Sequence, residues 1–110
     1  MAVLLVITHL PDRAGAETLA ALLVDARLAA CVNILAPVRS VYRWAGRIEH
    51  AEEVPLLIKT TQARYAELEA AIRGHHPYEL PEIVAVPVGP GLPAYLAWVE
   101  DETNPSPSSC

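Results

Sequence analysis

The densest run of chemistry-bearing side chains is His75-His76-Pro77-Tyr78-Glu79-Leu80-Pro81-Glu82. It sets two imidazoles, a phenol and two carboxylates around two prolines, which stiffen the loop that carries them. Imidazole suits Cu(II), Zn(II) or Ni(II), and a carboxylate can complete a harder site. Adjacent histidines face one ion less readily than a helical i, i+4 pair. The residues therefore leave two readings open: a metal set of His75, His76 and Glu82, or an ordinary loop whose imidazoles bond the backbone. Lys59, set between Ile58 and Thr60, also has two readings. It is either an outward surface charge or a cation aimed into a cleft beside the loop. Glu49, Glu52 and Glu53, with His50 at their edge, read as a solvated arm. Cys31 lies in an apolar run and reads as a small buried hydrophobe. With Cys110 at the last position it makes no disulfide framework.

The elements that must position these groups follow from periodicity. Val3 to Ile7 is an unbroken apolar run, as in a strand buried on both faces. Asp12 is a helix N-cap, and Ala16, Leu19, Leu22, Leu23 and Ala26 recur at helical spacing behind it, predicting a helix from about Arg13 to Leu28. Cys31 to Leu35 starts a second strand, which Pro37 interrupts. Val38 to Trp44 and Arg47 to Thr61 then read as two long arms of a hairpin turning on Ala45-Gly46, with Gly46 supplying positive φ. Pro37 and Pro55 each call for a bulge or an edge position. Thr60 or Thr61 caps a second helix carrying Tyr65, Leu68 and Ile72 and ending at Gly74 as its C′ residue. Ile83 to Val88 is a further strand broken at Pro87, and Pro93 starts a short last helix. This order predicts an α+β, ferredoxin-like fold: βαββαβ plus a C-terminal helix, an antiparallel sheet with both earlier helices on one face and the other face bare.

A chain of 110 residues supports one domain, expected over 1–102, with a flexible Ser/Pro tail over 103–110. Hydrophobic residues make up 53% and mean hydropathy is +0.27, high for so small a domain, which implies apolar surface buried between chains. Tyr42 and Trp44 sit near the hairpin tip, beyond reach of a small helical layer, and read as subunit-interface aromatics. A net charge of −5, with only 8 Lys and Arg and no cluster of them, excludes a nucleic-acid footprint. The N-terminal apolar run is too short for a signal core or a membrane span, so the expected location is cytoplasmic, with no membrane contact.

Five ordered pieces carry a resemblance: Thr8 to Asp12, Leu28 to Asn33, Tyr42 to Glu49, Leu57 to Thr61, and His76 to Ile83. In order and spacing they resemble the CutA divalent-cation tolerance proteins. The resemblance implies a ferredoxin-like homotrimer whose long arms join sheets between subunits, a role in the response to copper and other divalent metal ions, and no agreed enzymatic activity. It also implies copper ligation by a cysteine at the end of the first strand and by the pair carried over here as His75 and His76. Thr8 stands where that cysteine would be, which removes the soft ligand. His9 is next to it but points to the opposite face. The resemblance also favours the cleft for Lys59, and implies Tyr78, Glu79 and Glu82 as its neighbours there. The alternative is a trimeric signal-type module holding a small organic anion in inter-subunit clefts on Lys59 and Arg39, without metal. A hydrolase of the same fold is the remotest reading. Arg13 is in place for one, but the glycine-rich anion cradle is missing and the asparagines, Asn33 and Asn104, are not where water would be oriented.

Overall fold

In β1 (Val3–Leu10) alternate side chains, Leu4, Val6, Thr8 and Leu10, are buried at 4% exposure or less. They face α1 (Arg13–Asp25) and α2 (Tyr65–His75), whose Ala16, Leu19, Leu23, Leu68 and Ile72 close over them in one core with Val54, Leu56 and Ile58. The computed structural model describes residues 2–105. Its remaining elements are β2 (Cys31–Ile34), β3 (Val38–Trp44), β4 (Arg47–Thr61), β5 (Ile83–Pro87) and α3 (Pro93–Glu102). All strand pairs are antiparallel, in the order β2-β4-β1-β5, with β3 paired to the distal half of β4. The described residues form an α+β fold with three α-helices.

Asp12 caps α1 as expected, its Oδ1 accepting from the Gly15 amide at 2.7 Å. The helix stops at Asp25, earlier than Leu28, because Arg27 takes a positive φ of 61° and the Leu28 amide turns back to the Leu23 carbonyl at 3.0 Å. Gly74 does not end α2. The helix runs through it to His75, and the stop is set by Pro77, which forces His76 into extended backbone. Nor does a threonine cap α2 directly. Thr60 Oγ1 donates instead to the Leu28 carbonyl, and a 3-10 turn over Gln62–Arg64 separates Thr61 from the helix.

The expected irregularity at Pro37 and Pro55 is one extra residue in the first arm. Ile34 pairs with Leu56, but Val38 pairs with Glu53, so three residues oppose two. The Leu35 amide donates to the Pro55 carbonyl at 3.0 Å, so the side of Pro55 that lacks an amide faces this gap between β2 and β3. Pro55 is therefore tolerated in an interior strand, not an edge one. The extra residue also exchanges the faces of the first arm: Ser40, Tyr42 and Trp44 register with Ala51, Glu49 and Arg47, on the side away from α1 and α2.

At the hairpin tip both turn residues are left-handed, Ala45 at φ 52° and Gly46 at φ 78°. Only Gly46 is suited to that conformation. Ala45→Asn creates the Asn-Gly pair this turn favours and is expected to raise the unfolding free energy by about 0.5–1 kcal/mol, read from the midpoint of a urea titration.

The far face of the sheet is not wholly bare. α3 covers one end of it, packing Val99 and Leu96 against Val3 and Ala30. The Arg27 guanidinium fastens that helix by donating to the Asp101 and Asn104 carbonyls, both at 2.9 Å. Thr103, 1% exposed, donates through Oγ1 to the Val99 carbonyl at 2.8 Å. Packed structure thus continues past the expected boundary at residue 102, because the end of α3 needs Thr103 to satisfy its carbonyls. The rest of the expected tail, residues 106–110 with Cys110, lies outside the described residues.

Candidate functional site

The exchange of faces in the first arm builds a cavity of about 860 Å³ between the hairpin, the end of β1 and the loop from α2 to β5. β1 contributes His9, β3 contributes Ser40, Val41, Tyr42 and Trp44, β4 contributes Glu53, and the loop contributes Pro77 to Glu82.

Glu53 is its anchor. The carboxylate is buried, 8% exposed, and its Oε1 accepts from Ser40 Oγ at 2.6 Å. His9 Nδ1 lies 3.5 Å from that same oxygen and 3.4 Å from Glu82 Oε1, so the imidazole stands between two carboxylates. Glu53 is therefore not part of a solvated arm. Its position along β4 is where β3 begins to pair, Val38 opposite Glu53, next to the end of β1, Leu10 opposite Val54.

Tyr78 points its hydroxyl at Glu53. Burial first, and then the charge and hydrogen bond of Glu53 with a smaller effect from Tyr42, hold the phenol above its ordinary pKa of 10.0. A raised phenol pKa favours the folded state fully below pH 10 and loses that contribution as pH rises through the folded value. Glu53→Gln is expected to lower the Tyr78 pKa part of the way back, since burial remains. Alkaline tyrosinate absorbance, with Tyr78→Phe marking the step, measures it.

The three side chains expected to share a metal are not brought together. His75 is exposed on the last turn of α2, with Nδ1 3.0 Å from the Ala71 carbonyl. His76 is 8% exposed and both its nitrogens are engaged. Nδ1 accepts from the Tyr78 amide at 3.1 Å, which places the ring proton on Nε2, and Nε2 donates to the His9 carbonyl at 2.6 Å. Its role is to clamp the loop to β1. Only Glu82 reaches the cavity, beside His9. Thr8 is fully buried on the helix side of β1, and among the described residues its hydroxyl finds no hydrogen-bond partner. The copper set implied by the resemblance does not fit this arrangement. Among the described residues no group of three or more His, Cys, Asp and Glu is placed to hold an ion.

Lys59 is not in the cavity either, so the expected cleft is divided. Tyr78, Glu79 and Glu82 line the cavity, whereas Lys59 lies six residues along β4 from Glu53, roughly 20 Å at strand rise, and donates to Asn33 Oδ1. Tyr42 and Trp44 line the cavity wall, 43% and 47% exposed. Residue reasoning missed Ser40, His9 and Glu53 as a group. The parity of His9 opposite to Thr8 was the available signal, since the face it points to is the cavity.

A family model described as CutA1 divalent ion tolerance protein matches residues 4–102. The divalent-cation tolerance protein CutA of Thermus thermophilus is 41% identical over 99 residues, covering 90% of this chain and 96% of the relative. Protein CutA of Mus musculus is 42% identical over 94 residues, covering 86% of this chain, which spans about half (53%) of that longer relative. Among solved structures, CutA1 of Oryza sativa superposes with a TM-score of 0.92 at 32% identity, covering 96% of this chain and 97% of the other. Matches of this identity and coverage, on a chain whose sheet and helices superpose throughout, place it in a family: it belongs to the CutA1 divalent ion tolerance proteins.

Proposed function

We propose that this chain acts in the response to divalent metal ions as a homotrimer of ferredoxin-like subunits, and that the cavity at the base of the hairpin is where cations gather. The observation that carries this reading is the charge of the lining. Glu53, Glu79 and Glu82 stand with His9 around the cavity, and among the described residues no lysine or arginine lines it. Three carboxylates on low-dielectric walls concentrate cations and repel anions, which disfavours the organic-anion alternative, whose cations Lys59 and Arg39 do not line the cavity. With no complete ligand shell placed within one protomer among the described residues, the attraction is electrostatic and weak. Imidazole and carboxylate favour Cu(II), Zn(II) or Ni(II) over Cu(I). The reading contains no catalytic step.

Support for the oligomer is the far sheet face. Two rows cross it, Asn33, Leu57, Ile7 and Val84, then Cys31, Lys59, Leu5 and Val86. Val84 and Val86 are 46% and 48% exposed, an apolar strip that water does not favour.

Calorimetric titration of Zn(II) and Cu(II) into the protein, with Glu82→Gln, His9→Ala and His75→Ala variants alongside, tests the cation reading. Binding weakened by the first two and untouched by the third is expected. Binding lost with His75→Ala and kept in the others would overturn it.

A further inference from the structure

The carboxylates of the cavity are gathered around a nitrogen, not around a point where a bare ion would sit. His9 Nδ1 lies 3.5 Å from Glu53 Oε1 and 3.4 Å from Glu82 Oε1, while among the described residues no three ligating groups converge on one position. Most of the remaining lining is carbon. Tyr42 and Trp44 stand two residues apart on one side of β3, roughly 7 Å along the strand, and are 43% and 47% exposed. Tyr78 adds a third ring from the loop, held against the His76 imidazole at 4.8 Å between centroids. Leu80, Pro77 and Pro81 continue the apolar lining. A volume of about 860 Å³ is that of a small-molecule site and far exceeds the shell of one ion.

Rings and carboxylates on one wall select a particular kind of cation. The face of a tyrosine or tryptophan attracts positive charge, most strongly when the cation is free of water. A divalent metal ion holds its water firmly and has no carbon with which to cover a ring. A quaternary ammonium covers the rings but has no N–H to donate to a carboxylate. An alkylammonium does both, and three carboxylates, Glu53, Glu79 and Glu82, call for more than one such group on the ligand.

We propose that the cavity binds an aliphatic diamine or polyamine: its ammonium groups donate to Glu53 and Glu82, with the exposed Glu79 available to a further one, and its methylene chain lies along Tyr42 and Trp44. This rests on the reading that the cavity gathers cations, and is independent of the oligomer. The carboxylates supply attraction that any cation shares, whereas the rings supply the preference for a cation that carries carbon.

The test is calorimetric titration of 1,4-diaminobutane, spermidine and Mg(II) into the protein at one ionic strength. Diaminobutane and Mg(II) carry the same charge, so the difference between them isolates the contribution of carbon. Saturable binding of the diamine at least about tenfold tighter than that of Mg(II) is expected, with spermidine tighter again. Tyr42→Leu and Trp44→Leu are each expected to weaken the diamine about fivefold to tenfold and to leave Mg(II) unchanged. Glu82→Gln is expected to weaken both ligands, and Tyr95→Leu, which removes an exposed ring on α3 outside the cavity, to weaken neither. Sedimentation of each variant shows that its assembly matches the parent's. Diamine binding no tighter than that of Mg(II), or binding within twofold of the parent in both ring variants, would overturn this inference and leave the cation reading standing. Absence of binding by diamine, polyamine, Mg(II), Zn(II) and Cu(II) alike would overturn both.

Discussion

A Val84→Asp/Val86→Asp double variant is expected to sediment as a monomer at concentrations where the parent chain is assembled. Both valines lie on β5, register with Ile7 and Leu5, and are 46% and 48% exposed in the single protomer. Folding of the protomer therefore loses little when they become carboxylates. Assembly loses a great deal, because two unpaired charges would have to leave water in a contact whose other members are Leu5, Ile7 and Leu57. At several kcal/mol for each uncompensated ion, the association constant should fall by at least about a thousandfold. Val24→Asp is the control, since Val24 is 44% exposed on α1, at the opposite layer of the fold. Sedimentation unchanged in the double variant would mean that subunits meet on some other surface.

The largest effect on stability is expected from Ile58→Ala, which should cost about 2–5 kcal/mol. Ile58 is fully buried on β4 with Val32 on one side and Val6 on the other, beneath the layer of α1 and α2. Shortening it empties the middle of the core between the sheet and α1 and α2, where neighbours on three strands cannot all move inward. Val41→Ala on the hairpin, where Val41 is 60% exposed, should stay within about 0.5 kcal/mol. Urea unfolding at one fixed protein concentration measures both, since assembly of copies would add a concentration-dependent term to apparent stability. A loss below 1 kcal/mol at Ile58 would mean that the core repacks freely.

Much of the local structure was legible because it is local. Asp12 caps its helix through a contact three residues away, Ala45-Gly46 reverses the chain within its own turn, and Pro93 opens α3. Errors arose where a local signal met a stronger one. Gly74 could have ended α2, but a glycine is permitted inside a helix, whereas Pro77 forbids the residue before it from continuing one. The site was less legible than the fold. The His75-His76 pair is conspicuous in the chain, yet α2 leaves His75 outside and the loop consumes both nitrogens of His76 in holding itself to β1. Glu53 looked like one of a run of surface acids.

The chain by itself determined its class, strand and helix, strand, long hairpin, helix, strand, helix, through alternation, helical spacing, caps and breakers that act over a few residues. It also determined that apolar surface is in excess of what one small domain can cover. Only the tertiary structure decided which side chains share a site. One extra residue opposite Val54 and Pro55 turned Ser40, Tyr42 and Trp44 onto the face of His9 and Glu53. Lys59, six residues along β4 from Glu53 and so roughly 20 Å away at strand rise, does not line the cavity that Glu79 and Glu82 share. Register is a property of pairing between distant segments, and a shift of one residue exchanges every side chain between faces, so no local pattern in a single strand can specify it.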